Sequence, residues 1–370
     1  MGDNFNFCDD LGPAKIIQVY EPKSGLQGVL VIDNTALGPA LGGLRMGTGV
    51  TTLECFRLAR SMSLKNAVAG IAHGGGKSVI KADPNCSPEK KEQLMRAMAS
   101  ALRDVKDYIF APDMGTNEQC MAWIKDEIDH VTSLPRELGG IPLDEIGATA
   151  WGLSHATEAA LEFCGFKLEG ARVVVQGFGN VGSKAAHFLS NAGAVIVAAA
   201  DIGGAIYNKN GLSVSDLLEL ASEKKSVCEY PDGEKLLNAD LVDVECDIWV
   251  PAAQPDVITI DNVNRLKTKL VVPGANIGVT PEAEKILHNK GVLCLPDFIA
   301  NCGGVICAAM EYDGSIEASV FPTIEKKIIH NTKLVIETSM SKNILPRAAA
   351  EEIAIGRIKK AMTYKRWGVF

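Results

Sequence analysis

Apolar residues along the chain follow two rhythms, and the switch between them predicts the elements. Residues 15–20 and 28–33 are short runs rich in β-branched residues, separated by Pro22, Gly25 and Gly28, and read as two strands. Residues 37–45 read as a loop followed by a short extended piece. From Thr52 to about Ala67 the apolar positions Leu53, Phe56, Leu58, Ala59, Met62, Leu64 and Ala67 recur at helical spacing. Residues 68–72 look like another strand, and His73-Gly-Gly-Gly-Lys77 like a glycine loop ahead of Ser78-Val-Ile-Lys81. Ser87 is placed to cap a helix over 88–105. Residues 108–110 form a short strand that runs into Ala111-Pro-Asp113-Met-Gly115.

The second half has a plainer rhythm. A helix over 148–163 precedes the apolar run Val173-Val-Val-Gln176, then Gly177-Phe178-Gly179-Asn180-Val181-Gly182, an amphipathic segment to Asn191, and a second apolar run ending in Asp201. That is strand, tight turn, helix, strand. Gly177 permits the turn, Gly179 lets backbone approach a pyrophosphate, and Gly182 lets helix and strand pack closely. The helix N-terminus offers its unpaired N–H groups to phosphate. Asp201, 19 residues beyond Gly182, stands where an acid takes a ribose hydroxyl. Three further apolar runs (244–253, 270–276 and 292–297) each end in Pro, Gly, Asn or Asp, and residues from 321 onward read mostly helical. Strand alternating with helix predicts an α/β protein with a doubly wound, Rossmann-type sheet. The expected division is an α/β domain over 1–144 and a dinucleotide-binding domain over 145–334. A C-terminal helix, 335–370, is expected to pack back on the first.

Composition narrows the partners. Hydrophobic residues make up 47% and charged residues 22%, with a net charge of −8 and no basic block. A compact chain follows, and no nucleic-acid partner is expected. No apolar run approaches the roughly 20 residues of a membrane span. The ten cysteines contain no Cys-x-x-Cys pair, several lie inside apolar runs, and the six histidines are scattered. Reduced core thiols and no metal site are expected. The first ten residues do not read as a secretion signal. A cytoplasmic location follows.

Candidate chemistry sits in the first half. Lys77 follows three glycines, where backbone can close on a ligand. A lysine buried there beside a second lysine is disposed to give up its proton and act as a general base or carbonyl polariser. Lys65, Asp113 in its Pro/Gly loop, and Asn301 ahead of Gly303-Gly304 join it as candidates. The ordered blocks Gly42-Gly43-Leu-Arg45, Met62-Ser-Leu-Lys65, Gly74-Gly-Gly-Lys77 and Pro112-Asp113-Met-Gly-Thr116 begin a pattern. It continues through Ala148-Thr149-Ala-Trp-Gly152, Gln176 to Gly182, Cys246 to Ala253, Gly274-Ala-Asn276, and Pro296-Asp297 to Val305. Together they resemble the glutamate/leucine/phenylalanine/valine dehydrogenase family.

The resemblance implies oxidative deamination of an L-amino acid to a 2-oxo acid and ammonia, with hydride passing to a nicotinamide. It implies that Lys65 pairs with the substrate α-carboxylate and that Lys77 activates the attacking water. Asp113 exchanges protons with the amine, and Asn301 helps fix the carboxylate. Thr149, Asn276 and Ala252 join residues 177–182 and Asp201 around the cofactor, and Gly43 lies beside the substrate. The resemblance assigns substrate binding and oligomerisation to the domain over 1–144, and relatives assemble as homo-oligomers. Glutamate-type members grip the γ-carboxylate with a lysine on the helix after Gly-Gly-Leu-Arg and a serine after Gly-Gly-Val. Counted without gaps, those positions hold Phe56 and Ala308. Leu41, Ala111 and Val305 fall where leucine- and phenylalanine-type members line an apolar pocket. A hydrophobic substrate is therefore expected, with glutamate as the alternative, since Arg60 lies one turn from Phe56 and several motifs are worded as in glutamate members. No arginine neighbours Asp201, which favours NAD over NADP; Lys209 keeps NADP open. His73 is either a loop histidine or a neighbour that tunes Lys77.

Overall fold

The computed structural model describes residues 4–365, so part of the N-terminal stretch read for a signal lies outside the described residues. The chain forms two compact units. Among the described residues one comprises 4–143, 305–320 and 351–365, the other 144–304 and 321–350.

In the first unit the chain runs through β1 (Lys15–Glu21), β2 (Leu26–Asn34), β3 (Ala40–Gly47), α1 (Thr52–Ala69), β4 (Gly74–Lys81), α2 (Pro88–Ala101), β5 (Tyr108–Pro112) and α3 (Glu118–Lys125). Five strands make one mixed sheet in the order β1-β2-β4-β3-β5. The β1–β2 and β2–β4 pairs are antiparallel, β3–β4 and β3–β5 parallel. One face carries Leu30, Ile32, Leu44, Ile80 and Phe110 into a core with Leu94, Met95 and Met98 of α2 and Met121 and Ile124 of α3. The other face carries Val31 and Val79 against Cys55 and Ala59 of α1.

Two expectations need correction here. Residues 68–72 are not a strand: α1 continues to Ala69, and Gly70 closes it in the left-handed region (φ 70°). The glycine loop is instead the first half of β4. Glycine is a poor strand former, yet neighbouring backbone demands it. A Cβ on Gly74 would lie 1.9 Å from the Asn34 carbonyl oxygen, and one on Gly75 would lie 2.0 Å from the Ser63 nitrogen of α1. Strand and helix are pressed together at the point where Lys77 emerges.

The second unit begins in α4 (Leu143–Ile146) and follows α5 (Ala148–Cys164), β6 (Arg172–Gln176), α6 (Asn180–Asn191), β7 (Val195–Asp201), β8 (Gly204–Tyr207), α7 (Val214–Ser222), β9 (Glu234–Leu236), β10 (Ile248–Pro251), β11 (Leu270–Val271), α8 (Pro281–Asn289), β12 (Leu293–Cys294) and α9 (Asp297–Ala300). Next come α10 (Gly303–Tyr312), α11 (Val320–Lys342) and α12 (Pro346–Met362), of which α11 lies mostly in this unit and α10 and α12 mostly in the first. The sheet order is β12-β11-β10-β6-β7-β8-β9. Strands β12 to β7 run parallel, and β8 and β9 are antiparallel additions. The chain crosses from one side of β6 to the other between β7 and β10, which makes the C-terminal ends of β6 and β10 the switch point where a doubly wound sheet binds its ligand. The α/β fold with a Rossmann-type sheet is as expected.

Candidate active site

Alternation along the strands of the first unit brings its chemistry to one face. Gly75, Lys77 and Val79 of β4 point towards α1, and the registers Leu41↔Gly75, Arg45↔Val79, Leu41↔Ile109 and Gly43↔Ala111 put Leu41, Gly43, Arg45 and Ala111 on that face. Lys77 is 5% exposed, and its Nζ stands 3.0 Å from Asp113 Oδ2. Gly43 is the floor of this contact: a Cβ there would meet Asp113 Cβ at 2.7 Å and Lys77 Nζ at 3.1 Å. Thr116 fixes the Asp113 backbone, its Oγ1 accepting from the Asp113 N–H at 2.9 Å while donating to the Leu44 carbonyl at 2.8 Å.

A third charge completes the group. Arg45 Nε donates to Asp113 Oδ2 at 2.8 Å, and its Nη1 donates to Glu54 Oε1 at 2.8 Å. Burial pushes the Asp113 carboxyl up, but the Lys77 and Arg45 charges outweigh it and hold the group below its ordinary value. Beneath the glycines, Tyr108 donates to the Gly42 carbonyl at 2.8 Å and lies 3.0 Å from Ser78 Oγ. Asn66 of α1 ties the Gly74 and Leu41 carbonyls. Lys65, half-buried on the same helix one residue earlier, shares this end of α1.

The apolar candidates divide. Leu41 is buried beside Gly43, and Ala308 is brought to β5 through Thr132. The Thr132 hydroxyl donates to the Ala308 carbonyl at 2.7 Å, and its N–H donates to the Phe110 carbonyl at 2.8 Å. Val305 precedes Ala308 by three positions on α10, so the two share a helix face. Phe56 is not brought here. It stacks on Phe7 (5.1 Å between centroids) and packs against the cluster of Val31, Cys55, Ala59 and Val79, whereas Lys77 pairs with Asp113. Arg60 is also committed: its Nε lies 2.9 Å from Asp33 Oδ2, and its two terminal nitrogens hold Asp9. His73 is buried with its ring edge-on to Tyr312 (5.8 Å) and its Nε2 3.6 Å from Asp313 Oδ1. Neither ring nitrogen has a hydrogen-bond partner among the described residues.

In the second unit the glycine turn matches a dinucleotide's requirements. Gly177 (φ 100°) ends β6, and a Cβ there would sit 2.6 Å from Ala253 Cα. A Cβ on Gly182 would lie 1.8 Å from the Gly177 carbonyl oxygen, whereas Gly179 has nothing within 4 Å. Gly179 is also the N-cap of α6 and supplies no capping side chain, so the helix N-terminus is free to meet phosphate. Phe178 is buried, Asn180 Oδ1 accepts from Lys184 Nζ at 2.7 Å, and Val181 and Ala252 both approach Gly274. Asn301 Nδ2 donates to Asn276 Oδ1 at 2.8 Å and to the Gly274 carbonyl at 3.3 Å. Gly303 packs on the first turn of α5, where a Cβ would come 3.2 Å from Thr149 Cα. Thr149, Val181, Ala252, Asn276 and Asn301 thus form one neighbourhood.

Asp201 ends β7. Its Oδ1 accepts from Gly203 N–H at 2.8 Å and Ser226 Oγ at 2.7 Å, its Oδ2 from Val227 N–H at 2.7 Å. Lys209 lies beyond the other end of β7, where Asn208 and Leu212 bond the Val197 and Ile196 carbonyls, so it adds no cation at Asp201. Sequence reasoning passed over Arg45, Glu54, Thr132 and Ser226. Arg45 alone was signalled, since it follows Gly43 by two positions on a strand and must share its face.

Comparison with known proteins identifies the family. The dimerisation domain of Glu/Leu/Phe/Val dehydrogenases matches residues 13–130, and the Glutamate/Leucine/Phenylalanine/Valine dehydrogenase domain matches residues 139–366. Among relatives, a glutamate dehydrogenase of Aeropyrum pernix is 38% identical over 90% of this chain and 85% of its own. An NADP-specific glutamate dehydrogenase of Saccharolobus shibatae is 37% identical over 88% and 80%. Among solved structures, the hetero-hexameric glutamate dehydrogenase of Thermus thermophilus, in a leucine-bound form, has a TM-score of 0.83 at 29% identity, covering 96% of this chain and 91% of that one. The L-tryptophan dehydrogenase of Nostoc punctiforme shares the fold at TM-score 0.76 and 22% identity, over 95% and 98%. The chain belongs to the glutamate/leucine/phenylalanine/valine dehydrogenase family and is an amino-acid dehydrogenase, an oxidoreductase acting on CH–NH2 groups that uses a nicotinamide cofactor.

Proposed function

We propose that this enzyme catalyses the reversible, NAD-dependent oxidative deamination of a hydrophobic L-amino acid of the leucine, phenylalanine or valine type to its 2-oxo acid and ammonia. The observation that carries the substrate choice is the commitment of the arginines near this face. Arg60 is forked between Asp33 and Asp9, and Arg45 lies between Asp113 and Glu54, while Leu41, Gly43, Ala111 and Ala308 present only apolar surface. A side-chain carboxylate set against that surface without a partner costs several kcal/mol. Two observations favour glutamate as the second reading: the names of the two relatives at 37–38% identity.

In this reading Lys65 holds the α-carboxylate, with Asn301 assisting, and Gly43 lets the substrate lie against β3. Lys77, deprotonated, takes the proton of the water that attacks the imino carbon. Asp113 takes a proton from the amine and returns it as ammonia departs. A bound nicotinamide dinucleotide supplies the hydride acceptor, and residues 177–182, Thr149, Ala252 and Asn276 hold and orient it. Among the described residues the Asp201 carboxylate is bonded by Gly203, Ser226 and Val227 and not by a cation, which supports NAD over NADP. No helix among the described residues is long and apolar enough to cross a membrane. All ten cysteines are free thiols, in keeping with the reducing cytoplasm. The match to a dimerisation domain supports a homo-oligomer.

The test is a panel of L-amino acids, glutamate included, assayed with NAD and with NADP. Leucine, phenylalanine or valine should exceed glutamate in kcat/KM by about 100-fold or more, as a buried unpaired carboxylate implies. A preference for glutamate would overturn the substrate and leave the chemistry standing.

A further inference from the structure

We infer that Arg45 is a positioning residue for this reaction, a permanent cation that keeps Asp113 ionised and turned towards the amine while Lys77 passes through its uncharged form. The inference rests on the reading of Lys77 and Asp113 as the proton-transfer pair. Both cations meet the same atom: Arg45 Nε at 2.8 Å and Lys77 Nζ at 3.0 Å from Asp113 Oδ2. Oδ1 is then the oxygen left to face the amine. Of the two cations, Lys77 must give up its proton to act as a base, and in that form it no longer counters the Asp113 charge. A guanidinium stays protonated throughout. Arg45 is therefore the charge that still stands against Asp113 when the reaction needs a carboxylate there.

The surroundings fit this role. Arg45 is held from behind by Glu54 Oε1 at 2.8 Å, in the first turn of α1. Glu54 is itself fixed, its N–H donating to the Thr51 hydroxyl at 3.1 Å. Other titratable groups on the packed elements are Cys55 and Lys65 of α1, Tyr108 of β5, and Lys91 of α2, which bonds the Gly115 carbonyl. Burial pushes the Cys55 thiol up to about 12 and raises the Tyr108 phenol further, so both stay neutral at working pH. Arg45 thus brings a permanent charge into direct contact with Asp113.

The test is the pH profile of kcat/KM on the best amino acid, for wild type, Arg45→Gln and Arg45→Lys. Losing an adjacent arginine raises a carboxyl pKa by about 1–3 units, so the acid limb of Arg45→Gln should move up by that much. Arg45→Lys, which keeps the charge but cannot span Asp113 and Glu54, should hold the limb near the wild-type position. Its kcat should fall about tenfold, with KM changed less than about threefold. An unmoved limb in Arg45→Gln would overturn the inference, as a purely structural tie predicts that result. Should Arg45→Gln fail to fold, Arg45→Lys still decides: a raised KM with kcat kept would place Arg45 on the substrate. If the wild type turned over no amino acid, the proposed function would fall, and that outcome is distinct from either of these.

Discussion

Lys77→Met is the sharpest perturbation of the proposed chemistry, because the structure separates its effect on rate from its effect on folding. Methionine keeps most of the stem volume and removes the ammonium. Lys77 is almost fully buried and stands 3.0 Å from Asp113. Loss of a buried charged partner costs 3–5 kcal/mol when the other charge is left alone. Here it is not left alone, because Arg45 donates to the same oxygen. The loss is therefore closer to that of one charge-assisted hydrogen bond, about 2 kcal/mol, or a Tm lower by roughly 4–8 °C. The rate should suffer far more. A positioned acid–base group is worth about 10²–10⁴-fold, and its charge also polarises the 2-oxo group, so amination of a 2-oxo acid should fall by about 10³-fold or more. The assay follows reduced-nicotinamide absorbance in both directions, with cofactor affinity measured separately by calorimetry. A variant within tenfold of wild type would refute the catalytic assignment. Loss of activity together with loss of cofactor binding would equally deny that Lys77 acts at the chemical step.

Four further outcomes are expected. Gly43→Ala should cost at least about 100-fold in kcat/KM with cofactor affinity kept, because its Cβ would press within 2.7 Å of Asp113 Cβ and misplacement by an ångström is that costly. Arg347→Met strands the buried Glu284 and Asp297 carboxylates, which Arg347 now holds at 2.7–2.9 Å; urea denaturation should show a loss of about 3–5 kcal/mol. The depressed Asp113 carboxyl contributes stability that is complete above about pH 4, the unfolded value, and fades as pH falls through the folded value. The Tm gap between wild type and Asp113→Asn should therefore be constant near neutrality and narrow in acid; a gap widening in acid would show the opposite sign. Asp201→Ala releases Ser226 Oγ and the Val227 N–H from the carboxylate, so the NADP/NAD ratio of kcat/KM should rise at least about tenfold.

How much of this was legible in the sequence varied with the physics of each segment. The dinucleotide unit was plain because each glycine has its own geometric reason and the flanking runs are uniformly apolar. A fully buried parallel strand leaves that signature and little else does. Residues 68–72 misled because small and β-branched residues suit a buried helix end as well as a strand, and only Gly70 marked the stop. The glycines at 74–76 read as a loop by propensity. Their reason for being glycine lies in the Asn34 carbonyl and the Ser63 backbone, distant in sequence and pressed against them. Phe56 shows a related limit: spacing along α1 gives a helical face, but not that its ring stacks on Phe7. Arg45 carried a usable signal in strand alternation from Gly43, whereas Ser226 reaches Asp201 from 25 residues away and no local pattern foretells it.

The same contacts bear on substrate choice through the disposition of charge. Glu54, Arg45, Asp113 and Lys77 form a chain of alternating sign, each member within 3.0 Å of the next, so the group is close to neutral as a whole. Any amino acid brings one carboxylate to such a site, and a glutamate brings two. The second needs a further cation whose own partners can be displaced. Arg60 would have to leave Asp33, which is wholly buried and also accepts from the Ser63 hydroxyl at 2.6 Å. Stripping that aspartate of its guanidinium would leave a desolvated charge, a loss of the same size as the gain. An apolar side chain asks for no such exchange. In the proposed reading, where it lies against Leu41 and Ala308, it contributes about 25 cal/mol for each Å² of apolar surface it buries, and discrimination by side-chain charge would then follow from how Arg60 and Arg45 are already engaged.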